Sequence, residues 1–204
     1  MNLMGYQAMV LGPKDLSLGL DLVQQRMQEA QFPLLSANAV FSGSQELIAA
    51  PFTLLDLAGH RLAILGLTRH PDAPLTGIQV LDPQTAAAHY VPEVRSLADT
   101  VIVLTNQDYR AGLALAGAVE GIDLVVAALP GQLPTYAVRA AGTNALVVTA
   151  EQPLLRHAGR RVGRLEVQLG SDGQLSGENW ESVSLGSFVP DDPEMQALLS
   201  SFQP

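Results

Sequence analysis

Three short polar stretches follow apolar runs directly: Gly12-Pro13-Lys14-Asp15, Thr105-Asn106-Gln107-Asp108 and Leu129-Pro130-Gly131-Gln132. Loops at the carboxyl ends of strands are where open α/β sheets build their ligand sites. Lys14 follows a glycine turn and can offset the charge of a bound anion; a solvated surface lysine is the plainer reading. Asp15, Asn106 and Asp108 offer oxygen atoms to a cation. Solvated carboxylates, with Asp108 as a helix cap, are the plainer reading there. The histidines are His60, His70, His89 and His157. His60 falls in a hairpin turn, His89 on a helix and His157 ahead of the last hairpin. Only His70, in a loop after a strand, is placed to approach the polar stretches. Arg156, Arg160 and Arg161 form a small basic cluster that suits a phosphate or an acidic partner, or simply a solvated approach to a hairpin. The chain has no cysteine, which removes disulfides, thiolate ligands and a cysteine nucleophile. It also lacks a phosphate-binding Gly-x-x-x-x-Gly-Lys-Ser/Thr loop and a Gly-x-Ser-x-Gly elbow.

The elements that must position these stretches can be read from periodicity. Gln7 to Leu11 and Pro33 to Ala37 are short apolar runs with the length of strands. Between them Leu20, Val23, Met27 and Ala30 fall at helical spacing, with Ser17 available as a cap. Phe52 to Leu57 and Arg61 to Leu67, around Ala58-Gly59-His60, predict a hairpin. Arg69 to Gly77, with Pro71 and Pro74, reads as loop. Asp82-Pro83 starts a helix that runs to Leu97, with Asp as cap and Pro at the first helical position. Thr100 to Thr105 is a buried strand, and a helix over Tyr109 to Val119 follows it. Leu124 to Ala128, Tyr136 to Arg139 and Ala145 to Thr149 are further strands. Val162 to Leu169 and Leu175 to Leu185, joined at Ser171-Asp172-Gly173, form a last hairpin. Asp191, Asp192 and Pro193 start a short helix ending near Ser201. Strand–helix–strand units in the middle, with antiparallel hairpins around them, predict a layered α/β fold of mixed sheets with helices outside.

Of the 204 residues, 48% are apolar and 15% charged, enough for a sizeable core and unlike a disordered chain. The net charge of -9 repels phosphate backbones, so a broad nucleic-acid-binding face is not expected. Met1 to Leu11 lacks the pattern of a signal peptide, and no apolar run approaches the ~20 residues that span a bilayer. The chain is expected to be cytoplasmic as written, and extracytoplasmic if its coding sequence starts upstream of Met1.

The polar stretches also carry a family resemblance. Met4 to Asp15 (MGYQAMVLGPKD) resembles the segment GYDAMTLGNHE of the 5'-nucleotidases, which are calcineurin-like metallophosphoesterases. Phe32 to Asn38 (FPLLSAN) is similar to FPVLSAN, Leu62 to Thr68 (LAILGLT) to VGIIGLT, and Val101 to Asn106 (VIVLTN) to VIVLSH. Gly121 to Gly131 (GIDLVVAALPG) resembles GIDLIIGGHSH. The stretches Gly177 to Trp180 and Pro190 to Glu194 are similar to the end of that catalytic domain. These matches keep their order along nearly the whole chain.

The resemblance implies two facing mixed β-sheets flanked by helices, and a phosphoesterase that uses two divalent metals such as Mn or Zn to clamp phosphate and activate water. Its ligands are Asp-x-His and Gly-Asp motifs, then Asn-His, a later His and Gly-His-x-His. By resemblance the metal-binding Asn falls on Pro13 and the phosphate-contacting His on Lys14. The later His falls on Asn106, and the last two His on Leu129 and Gly131. The segment with Asp-x-His and Gly-Asp, and with it the first strand–helix unit, is expected to be absent. The chain is therefore read as one truncated metallophosphoesterase-like domain over 1–204, with a short terminal helix at about 191–201. It is expected to be a pseudoenzyme that needs no cofactor and serves as a structural or partner-binding domain, with a protein partner or self-association. Lys14, Asp15, Asn106 and Asp108 are left as residual contacts for an anion or cation. The alternative is a divalent-metal-dependent phosphoesterase with a rebuilt or partly absent site.

Overall fold

The computed structural model describes residues 1–129, 137–149, 161–170, 173 and 175–202. Its strands are β1 (Met9–Val10), β2 (Leu34–Leu35), β3 (Ala39–Phe41), β4 (Phe52–Leu57), β5 (His60–Leu67), β6 (Ile78–Val80), β7 (Thr100–Asp108), β8 (Leu124–Leu129), β9 (Val138–Arg139), β10 (Leu146–Thr149), β11 (Arg161–Leu169) and β12 (Leu175–Ser184). Its helices are α1 (Pro13–Leu16), α2 (Leu20–Glu29), α3 (Pro83–Leu97), α4 (Tyr109–Ala118) and α5 (Pro193–Ser200).

The centre is a six-stranded mixed sheet in the order β4-β5-β7-β8-β10-β9. Parallel pairing of β5 with β7, β7 with β8, and β8 with β10 makes its middle. The helices α3 and α4 are the crossovers that such parallel neighbours need. β4 and β9 pair antiparallel at the two edges. On one face the sheet packs against α3 and α4, through Leu65, Leu67, Val103, Val125 and Val147 from the strands and Ala87, Val91, Leu115 and Ala116 from the helices. The other face carries Leu124, Leu146 and Val148, which meet Leu165, Leu175 and Trp180 of the β11–β12 hairpin. This alternation is what a sheet covered on both sides requires.

Around the central sheet lie three two-stranded pieces, β1-β2, β3-β6 and β11-β12. A second core gathers Leu11, Leu16, Val23, Phe32, Leu34, Ala39, Ile48, Ile78 and Val80 from the first of these pieces, the second, α1 and α2. Mixed sheets with helices outside are the predicted fold class. Gly66 allows the two parts to touch: a Cβ there would stand 2.5 Å from Leu35 Cβ, far inside contact distance.

Several boundaries differ from the expected ones. β1 and β2 are shorter than Gln7 to Leu11 and Pro33 to Ala37, because only the middle of each run pairs with the other. β3 and β6 were left unassigned; they pair antiparallel, Ala39 with Val80 and Phe41 with Ile78. α1, starting on Pro13, is an additional single helical turn. β7 continues beyond Thr105 to Asp108 after a register shift, so Asn106 lies on a strand extension and not in a free loop. Asp82 caps α3 as expected, its carboxylate accepting from Thr85 N and Thr85 Oγ1 at 2.7 Å each. Pro130, Gly131 and Gln132, the start of the expected strand at Tyr136, and Arg156, His157, Arg160, Ser171 and Asp172 lie outside the described residues.

Candidate functional site

The carboxyl ends of β1, β2, β5 and β7 converge on a network of side-chain amides and hydroxyls. Asn106 is its outer member. Its Nδ2 donates to Leu11 O at 2.9 Å and its Oδ1 accepts from Arg69 N at 2.6 Å. One side chain thus ties the end of β7 to the ends of β1 and β5. Thr68 is fully buried. Its Oγ1 donates to Leu11 O at 2.8 Å and lies 2.7 Å from Ser36 Oγ. Asn38 is equally buried; its Oδ1 accepts from Thr68 N, and its Nδ2 donates to Thr68 O and Leu81 O. Ser36 Oγ also accepts from Ala39 N at 3.1 Å. Such burial is tolerable because the polar groups find partners.

The residues singled out from the sequence surround this network but do not form one cluster. Gly12 N donates to Asp15 Oδ2 at 2.8 Å, so Asp15 closes the turn that starts α1. A Cβ at Gly12 would stand 3.0 Å from Asn106 Nδ2, so the absence of a side chain there leaves room for the amide. Pro13 opens α1, where its missing N–H carries no penalty. Lys14 is solvent-exposed. Asp108 caps α4, accepting from Ala111 N at 2.9 Å. Leu129 ends β8, its backbone in register with Asp108. Arg69 makes a forked pair with Asp72, at 2.8 and 2.9 Å. The hydrogen bonds from Arg69 hold the Asp72 carboxyl below the usual carboxylate range, and Lys14 adds a weaker pull in the same direction. His70 lies close enough to Asp82 to favour its charge slightly, after the larger effect of the Thr85 hydrogen bonds. His60 sits at the start of β5. His89, on α3, packs edge-on to Tyr90 with ring centroids 4.7 Å apart.

Ser36, Asn38 and Thr68 were not singled out as site residues from the sequence. The available signal was a polar residue directly after an apolar run, at Leu35-Ser36 and Leu67-Thr68, where a strand end enters the interior.

The fold and these loops match known proteins. No family model matches the chain. The bovine 5'-nucleotidase is 25% identical over 225 residues, an alignment covering 100% of this chain and 39% of the relative. The crystal structure of a 5'-nucleotidase precursor from Thermus thermophilus superposes with a TM-score of 0.79 at 26% identity, over 96% of this chain and 42% of that one. In both sequence and fold the chain resembles the 5'-nucleotidase family of metallophosphoesterases. The calcineurin-like phosphoesterase YfkN from Bacillus subtilis shares the fold, with a TM-score of 0.76 at 21% identity over 98% of this chain and 72% of that one. The chain spans about two fifths of the length of the bovine relative. Among the described residues no helix is long and apolar enough to cross a membrane.

These relatives correct one expectation. A domain that needs no cofactor was expected from the substituted ligand positions, but the relatives are nucleotidases and phosphoesterases of a divalent-metal-dependent family. The expectation that no cofactor is needed therefore does not stand. The described residues at the aligned positions supply only part of a donor set. Pro13 has no side-chain donor atom, Asn106 Oδ1 already accepts from Arg69 N, and Asp15 Oδ2 already accepts from Gly12 N. Among the described residues no three His, Asp or Glu side chains stand together as a ligand group. A metal at these strand ends would have to draw its remaining donors from elsewhere.

Proposed function

We propose that this domain keeps the phosphoesterase fold without hydrolysing phosphoesters on its own, and that it serves as a partner-binding or assembly unit. The observation that carries the first half is the bonding of Asn106. Both polar ends of its amide are committed to backbone groups, Leu11 O and Arg69 N. Where the family resemblance implies a ligand, this chain has a clasp between strands. Lys14 can soften the charge of a phosphate but cannot generate the hydroxide that a metal-bound water supplies. The deciding assay follows release of phosphate from a nucleoside monophosphate and an aryl phosphate, with added manganese. The expected result is no release above the uncatalysed rate. Turnover that disappears in Lys14→Ala or Asp15→Ala would overturn the reading in favour of a metal-dependent hydrolase.

The second half is supported by an apolar groove of about 620 Å³, lined by Leu3, Met9, Leu18, Leu22, Phe32 and Leu198 among others. Leu18 is 65% exposed, a large apolar side chain left in water at the margin of a concave surface. Met9 N and Leu11 N bond to Pro33 O and Leu35 O on the β2 side. Among the described residues no strand pairs with the other edge of β1, and an open edge next to apolar surface invites another chain. The amino-terminal segment lines part of the groove. Asn2 holds it there, donating to Glu29 O and accepting from Gln31 N at 2.9 Å each. Light scattering over a range of concentrations is expected to find assembly that Leu18→Glu weakens. A strict monomer, with amides strongly protected from exchange across 7–11 and 100–105, would reject the assembly reading.

A further inference from the structure

We draw no further inference here: the strongest candidate, the apolar groove between the amino-terminal segment, α2 and Leu198 of α5, belongs to the contact surface already proposed, and nothing in the structure shows what covers it.

Discussion

The two ends of the central sheet solve the same problem in different ways. At the amino ends of β7 and β8, Asp123 is only 9% exposed and receives Arg95 through two hydrogen bonds, at 2.6 and 3.1 Å, together with Val101 N at 2.7 Å. Arg95 also reaches Asp99 O at 3.1 Å. At the carboxyl ends the joining groups are neutral: Asn106, Thr68, Asn38 and Ser36. A charged pair taken out of water is strongly coupled to the removal of either partner, because the survivor is stranded. A neutral network that is cut strands only uncharged groups, whose desolvation penalty of about 1–3 kcal/mol is smaller than that of a charge. The charged joint is therefore the more fragile under mutation, although it lies at the end remote from the site. The site end is held by groups whose bonding capacity is already used in joining strands.

The largest predicted effect is at the charged joint. Asp123→Ala strands Arg95 and leaves Val101 N–H without its acceptor, and should destabilise by roughly 2–4 kcal/mol, less than a fully buried pair because Arg95 is partly solvated. Denaturant unfolding measures this. Burial raises the Asp123 carboxyl above its ordinary range, and the Val101 amide and Arg95 only partly oppose it. A folded pKa above the unfolded one favours the fold most below the unfolded value, and the contribution is lost as pH rises through the folded value. Unfolding of Asp123→Asn and wild type at several pH values should thus show the difference moving toward the variant as pH climbs from about 4. A constant difference would contradict the burial argument.

The neutral joint should yield a smaller loss. Asn106→Ala removes two inter-strand bonds and leaves Arg69 N–H and part of Leu11 O unpaired, about 1–3 kcal/mol. Asn106→Asp sharpens the comparison. Its carboxylate can still accept from Arg69 N but faces Leu11 O with no proton to donate. The variant should approach wild-type stability in acid, where the carboxyl is protonated, and lose it as pH rises through the folded pKa. If Asn106→Asp is as stable as wild type at neutral pH, the amide is not the clasp described.

How much of this was readable beforehand depended on how local each feature is. Thr100 to Thr105 and Leu124 to Ala128 are continuous apolar runs, and buried parallel strands are built of such runs. Asp82-Pro83 marks a helix start through contacts within three residues. β3 and β6 escaped because three residues each carry too little period, and their pairing joins distant segments. β7 was stopped at Thr105 because its polar extension breaks the apolar run. At the site, Lys14, Asp15, Asn106 and Asp108 were legible as strand-end polar residues, Asp108 also as a cap, and Pro13 only as a substituted position implied by the resemblance. The partners of Asn106 were not, since it meets Arg69 across 37 residues and Leu11 across 95. Spacing cannot show that a side chain is already spent on such distant backbone groups.

The most direct measurement of the central claim follows the side-chain amide protons of Asn106 by NMR, with and without zinc, alongside the phosphate-release assay. A clasp predicts a donated proton that exchanges slowly and keeps its chemical shift as zinc is added, with no release of phosphate. A large shift or loss of protection at Asn106 on adding zinc, accompanied by turnover, would show its oxygen leaving Arg69 N for a metal and would contradict the account.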